Sequence, residues 1–495
     1  SKEIIIRHRF LRIEDGELFF YQQLLLNVPA KSEADYKITP DGTYREKFLS
    51  LYWDYVNTLE DQLASTHEIR ISRLNNQFVE MLDRLIHSLT VQLPNNLSRI
   101  IENQMNNLKI LPCLYPQRAM LELPADQYHA ISTINISDQG GFCTRAYVDN
   151  DLRKSLKKVD TIIIDKISMV SGKLLDFVSS LFARLHGNAL AFGGVNVIVV
   201  GDLAQLPPVT GQPVFCATVW SLFFPLFLKT PQHQNDDMEF YLILEKVRLD
   251  NISVITWNKL QQCHLDFLTR VPADTLLNTT HIVGFRENAQ QINWMICNLL
   301  PVPDNKFLIS QAKDFVNSEQ WDPSLSNHMF KSKTNLPISL RLQPGVRVMH
   351  LNNLLMAHGI CNETIGVITD VDPQEECARV AFSVKGSIVD VDIYKHTHYF
   401  ELNGSNCHRT QFPLQNCFAL TVHKTQGLTL PRVCLALDGN IFSPGQAYVA
   451  LSRCMTWDNI DISHLDASAF MTDQNVILEY QRLTNISTSN PHLFS

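Results

Sequence analysis

Four short stretches concentrate the side chains able to do chemistry. The first is Asp165, which closes the β-branched run Thr161 to Asp165. A carboxylate at the end of a buried strand can hold Mg²⁺ directly or through water. The next residue is Lys166. An ammonium cannot take a proton from an attacking water at neutral pH, so it cannot serve as a catalytic acid-base partner there. The second stretch runs from Gly201 to Val209, GDLAQLPPV, where the Gln205 amide could sense a terminal phosphate. The third is TVHKTQG, Thr421 to Gly427. His423, Lys424, Thr425, Gln426 and Gly427 form a polar loop entering a helix, which offers N–H groups and a hydroxyl to phosphates. The fourth is Arg453, ending AYVALSR. An arginine reaching across a cleft stabilises charge on a transferring phosphoryl group. At a helix C-terminus it would instead satisfy the helix dipole.

These groups need elements to position them. Thr161 to Asp165 and Val195 to Val200 read as short buried strands, with a helix over Lys173 to His186 between them. Strands that end in acidic or polar groups point to a parallel sheet with a ligand at its C-terminal edge. Before them, Phe48, Leu51, Tyr52, Tyr55 and Leu59 form one apolar stripe at helical spacing. Phe78, Met81, Leu82, Leu85, Ile86 and Leu89 form a second, and Leu97, Ile100, Ile101, Met105 and Leu108 a third. Such stripes predict helix-bundle core. Helices return over 238 to 300. Residues 303 to 335 read as a polar, pattern-poor connection. The segments GVRVMHL, TIGVITDV, ARVAFSV and SIVDVDIY predict a small barrel. After 413 the α/β pattern resumes, and Thr484 to Ser495 reads as a loose tail.

Composition is that of an ordinary globular chain of 495 residues, 45% hydrophobic and 19% charged. A net charge of −8 argues against a protein that coats DNA nonspecifically. It does not exclude a cleft with local positive potential. The eleven cysteines form no CxxC pair, so they read as reduced thiols of an intracellular protein. The longest apolar stretch, Val219 to Leu228, is too short to span a bilayer. The opening SKEIIIRHRF has neither a secretory h-region nor an initiator Met, which suggests a fragment or a processed chain.

In this order, the four motifs closely resemble the petite-integration-frequency (Pif-type) DNA helicases over about Leu123 to Ser463. The stretch Leu342 to Val371 resembles the family around its small SH3-like insert. The N-terminal third resembles the extension of Helitron-transposon helicases. The resemblance implies an α/β fold of two RecA-like P-loop-NTPase lobes, an SH3-like β insert and a helical N-terminal extension. It divides the chain into an extension (1–118), a truncated first lobe (119–228), the first part of the second lobe (229–335), the insert (336–412), the rest of the second lobe (413–480) and a tail (481–495). It implies ATP and Mg²⁺ as cofactors, single-stranded DNA as partner, and 5′-to-3′ unwinding in repair, recombination and telomere maintenance. It places the protein in the nucleus or mitochondrion. Gln127 would read adenine, Asp165 would hold the metal, and Gln205 would sense phosphate. Thr425, Gln426 and Gly427 would couple DNA to nucleotide, His423 and Lys424 would touch DNA, and Arg453 would be the arginine finger.

Three departures stand out. No G-x-x-x-x-G-K-[ST] occurs anywhere in the chain. The thirty-eight positions from Gln127 to Asp165 leave too little room for the missing units, since one βαβ unit takes about 30 residues. Lys166 stands where the family has a glutamate, and His233 where it has a phosphate-binding arginine. The expectation is a weak or inactive ATPase, a pseudoenzyme. The alternative is a catalytically dead, strand-binding remnant of a transposon helicase. Removal of the P-loop strand, expected beside Val195 to Val200, would also leave an apolar edge of the first sheet uncovered.

Overall fold

The computed structural model describes residues 150–489 almost throughout, with breaks at 229, 232, 235, 250, 270–276, 304–305, 332, 385 and 403. Before them it describes 78–84, 86–87, 96–110 and scattered positions between 21 and 47. Gln127 and the stripe from Phe48 to Leu59 lie outside the described residues. Two compact units are present, Ser1–Val79 and Glu80–Ser495. In the first, a single 3₁₀ turn, Glu33–Tyr36, is closed by the Ser32 N–H donating to Asp35 Oδ2 at 2.9 Å.

The second unit includes helix α1, Leu97–Ile110. Its stripe does not face a helix bundle. Met105 and Leu108 pack with Val367 and Ala381 of the β insert. Gln104 Nε2 donates to the Gly345 carbonyl at 2.8 Å. Periodicity marks a buried face but carries no information about what covers it.

Lobe one begins with α2, Asn150–Lys157, followed by β1, Thr161–Ile164, then α3, Gly172–His186, and β2, Asn196–Val199. Ser171 caps α3 by accepting from the Leu174 N–H, and Gly187 ends it in the left-handed conformation. β1 and β2 pair in parallel, with Ile163 beside Ile198. Leu174, Leu175, Val178, Leu181, Phe182 and Leu185 of α3 share a core with Ile162 and, partly buried, Ile164, Val197 and Val199. Ile163, Ile198 and Val200 point the other way, 48%, 51% and 44% exposed. The exposed apolar surface here is a sheet face, where a bare edge was expected.

Lobe two starts with α4, Met238–Arg248, α5, Val254–Thr269, β3, Thr280–Val283, and α6, Arg286–Leu299. The β insert then interrupts it. Here the expectation of a plain connection over 303–335 fails. This stretch carries β4, Leu308–Gln311, β5, Lys313–Val316, β6, Glu319–Trp321, and α7, Pro323–Phe330. Strands of three or four residues show too few alternations to be seen as a pattern. They are held by distant partners, above all the fully buried Asp314–Arg409 ion pair, which closes at 2.6 Å.

β7, Ser339–Leu342, pairs with β4. β8, Arg347–His350, β9, Ile365–Asp372, β10, Cys377–Val384, β11, Ser387–Ile393, β12, His396–Leu402, β13, Ser405–Gln411, and β14, Leu414–Asn416, follow. They form an antiparallel sheet β11-β10-β9-β8-β14 and a second sheet β12-β13-β5-β6. The insert thus borrows β5 and β6 from upstream of residue 336.

Lobe two resumes with β15, Ala419–Thr421, α8, Val422–Thr425, β16, Val433–Leu437, α9, Gln446–Leu451, and β17, Ile460–Leu465. The sheet β15-β3-β16-β17 is wholly parallel. The last helix, α10, Gln474–Ser489, absorbs residues 484–489 of the expected loose tail. It is fixed to lobe one through Val476 and Leu483, and by Trp220 Nε1 donating to Glu479 at 2.7 Å.

Candidate functional site

The crevice between the lobes gathers most of the residues singled out above. Asp165 is exposed at the end of β1, and its carboxylate accepts the Lys166 N–H at 2.7 Å. Lys166 itself has φ +53, a left-handed conformation that costs a side-chain-bearing residue energy. From there its ammonium leaves lobe one and donates to the Gln426 carbonyl at 3.0 Å. It also lies 4.0 Å from Glu363 of the insert, another non-glycine residue at positive φ, +72. Gly427, at φ +89, packs so closely that a Cβ would meet Lys166 Cε and Nζ at 3.0 Å. Gln426 Nε2 donates to Gln205 Oε1 at 3.1 Å. Gln205, Gln426, Gly427 and Lys166 are thus brought together, but across a crevice already bridged by their own contacts.

A second bridge lies behind this one. Asp202 accepts from Arg248 Nε at 3.0 Å, from the Tyr480 hydroxyl at 2.6 Å and from the Ala204 N–H at 3.0 Å. Burial works to raise the Asp202 carboxyl, but Arg248 and these hydrogen bonds outweigh it and hold it below the usual range.

The remaining candidates serve the loop after β15. Thr425 is buried, and its hydroxyl donates to the Val422 carbonyl. Arg453 is buried too. Its guanidinium donates to the carbonyls of Val449, Thr425 and Leu428, at 2.7, 3.1 and 3.3 Å, and to the Ser452 hydroxyl. It braces the TQG loop and caps its own helix. His233 pairs with Thr429 Oγ1 at 3.0 Å. Burial, then the Arg453 charge, push its imidazole down to about 4, so it brings no cation at neutral pH. His423 and Lys424 are half-buried, and burial lowers both. The Arg286 charge lowers them further, while Glu363 opposes the shift at Lys424.

Glu363, Arg248, Tyr480, Phe285 and Phe442 escape sequence reasoning. Each comes from an element remote in the chain, with no local pattern to mark it. Among the described residues no group of acids, histidines and cysteines forms a metal cluster, and no helix is long and apolar enough to cross a membrane.

A nucleotide with Mg²⁺ fits the described residues poorly. Asp165 suits a metal. The phosphates would face a neutral His233, an Arg453 whose guanidinium donates to protein oxygens, and a lysine bound to Gln426 and Glu363.

Two parallel-stranded lobes, an interposed β insert and a crevice at the strand ends define a RecA-like two-lobe fold. Solved structures agree. A Pif1 helicase from Candida albicans superposes with TM-score 0.62 at 22% identity, covering 74% of this chain and 85% of that one. A Bacteroides Pif1 bound to single-stranded DNA gives 0.54 at 24%, covering 67% and 77%. A family model described as PIF1-like helicase matches residues 119–222. "ATP-dependent DNA helicase PIF1" of Mus musculus is 28% identical over 341 residues, 67% of this chain and 50% of that protein. "ATP-dependent DNA helicase Pif1" of Bdellovibrio bacteriovorus is 29% identical over 371 residues, 72% of this chain and 79% of that protein. In sequence and in fold, the chain is similar to the PIF1-like helicases. It spans about half the length of the mouse relative.

Proposed function

We propose that this chain is a PIF1-like helicase that keeps the single-strand grip of its second lobe while its ATP-hydrolysing crevice is impaired. The observation that carries this is the Lys166 ammonium, which stands where an acid is needed and spans the crevice to the Gln426 carbonyl. The absence of any G-x-x-x-x-G-K-[ST] supports the same view, since that loop and its lysine cradle the β- and γ-phosphates. His423 and Lys424 supply the DNA side of the grip, on a loop that the buried Thr425 and Gln426 hold in shape, and the names of the relatives support DNA as the substrate class. Nuclear or mitochondrial DNA maintenance, with 5′-to-3′ polarity, is the setting that the family suggests.

The test is ATP hydrolysis by the purified chain with saturating single-stranded DNA. Turnover is expected to stay at background, and Lys166→Glu alone is not expected to restore it, because the phosphate grip is still missing. Strand-stimulated turnover that Asp165→Ala abolishes would refute the proposal.

A further inference from the structure

The C-terminal edge of the second-lobe sheet presents aromatic rings that the crevice does not use. Phe285 follows β3, Phe442 follows β16 and His423 follows β15, three adjacent parallel strands. The Phe285 and Phe442 rings stack at 5.3 Å with an interplanar angle of 11°. His423 continues the stack from Phe442 at 6.4 Å and 23°. Phe285 is 41% exposed and Phe442 54%. Leaving large apolar rings in water is unfavourable, and covering them relieves that cost.

These rings are held in place. The backbone of Gly284 lies against that of Asn440, so close that a Cβ would meet the Asn440 carbonyl oxygen at 2.1 Å. Asn440 is pinned by Asp438, which accepts from its N–H at 2.9 Å. The Phe442 N–H donates to Gln446 Oε1 at 3.0 Å. Arg286, exposed at the start of α6, and Lys424 bring positive charge to the same edge, and the Arg286 charge is felt at both His423 and Lys424.

We propose that Phe285, Phe442 and His423 form a stacking platform for unpaired nucleobases, with Arg286 and Lys424 meeting the adjoining phosphates. The inference rests on the strand-binding part of the proposed function. Charge selects the occupant: fixed rings flanked by cations suit a single strand, whose bases offer π-faces and whose backbone is anionic. A duplex hides those faces.

Stacking and charge separate experimentally. Base stacking is nearly independent of salt, whereas phosphate contacts release counterions. Anisotropy of labelled oligothymidylate would be measured across a salt series for the full chain and for Phe285→Leu, Phe442→Leu and Phe442→Trp. Thermal melting would check folding. Each leucine variant should lose roughly tenfold in affinity with an unchanged salt slope. The Phe442→Trp variant should bind as the parent does, with extra quenching of indole emission. Leucine variants that bind like the parent, or lose duplex affinity equally, overturn the platform alone. A parent chain with no single-strand affinity overturns the platform and the strand-binding reading together.

Discussion

Two histidines, one buried and one half-buried, make stability depend on pH in a defined direction. His281 lies in β3, within the second-lobe sheet, buried, with neither ring nitrogen hydrogen-bonded. Burial, then the Arg347 charge, push it down to about 4. His233 is pushed to about 4 by burial and Arg453. Between the ordinary value of 6.5 and about 4, the unfolded chain binds protons at these sites and the folded chain does not. The stabilising effect is therefore complete above about 6.5 and is lost as pH falls toward 4. Each histidine can steepen the fall by at most about 1.4 kcal/mol per pH unit. Urea melts at several pH values should show this decline, and His281→Leu should flatten it. An equal slope in that variant would assign the pH dependence elsewhere. Chemistry at this scale was legible wherever a residue carried its own signature. Lys166 beside Asp165 announced a missing acid, but its hydrogen bond to Gln426 could not be foreseen from two positions far apart in the chain.

Among the elements, the small sheet β12-β13-β5-β6 depends on one buried ion pair. Arg409 is also held by the Leu336 carbonyl at 3.0 Å, and Ser326 donates to Asp314. Removing one member leaves a lone charge in the interior. Asp314→Ala should cost about 3–5 kcal/mol, read from the midpoint of chemical denaturation. The double change Asp314→Leu with Arg409→Met should recover much of that loss, because apolar side chains carry no desolvation cost. A double variant as unstable as the single one would mean that packing, and not charge burial, sets the cost. Long or strongly patterned elements were readable from sequence: β1, β2, α3 and β16 fall where their apolar runs place them. β4 to β6 were not, since Lys313–Val316 and Glu319–Trp321 are too short to show a period.

At the scale of the whole molecule, the first-lobe sheet leaves apolar surface bare. Ile163, Ile198 and Val200 share an uncovered sheet face. Exposed contiguous apolar surface promotes self-association. Ile163→Thr with Ile198→Thr should reduce concentration-dependent association by sedimentation, with little change in thermal midpoint. Unchanged association would place the sticky surface elsewhere. The connection between lobes is also a whole-molecule property. Arg248 from α4 and Tyr480 from α10 converge on Asp202 of lobe one, and α10 closes over the lobe-one core. The tail expectation failed at residues 484–489 for that reason: a polar sequence stays helical when one face of its helix finds a partner.

The order of motifs along the chain, its alternating α/β segments and the absence of a phosphate-loop motif were fixed by residue identity and spacing alone, because each is a local pattern; the two-lobed plan followed from the resemblance those motifs carry. Only tertiary structure decided that Lys166 crosses to Gln426, that Arg453 turns inward to brace a loop, that α1 packs on the insert, and that Phe285 and Phe442 meet in a stack. Each of these joins residues distant in sequence. Such pairings are set by how faces cover one another in three dimensions, for which a linear pattern holds no coordinate.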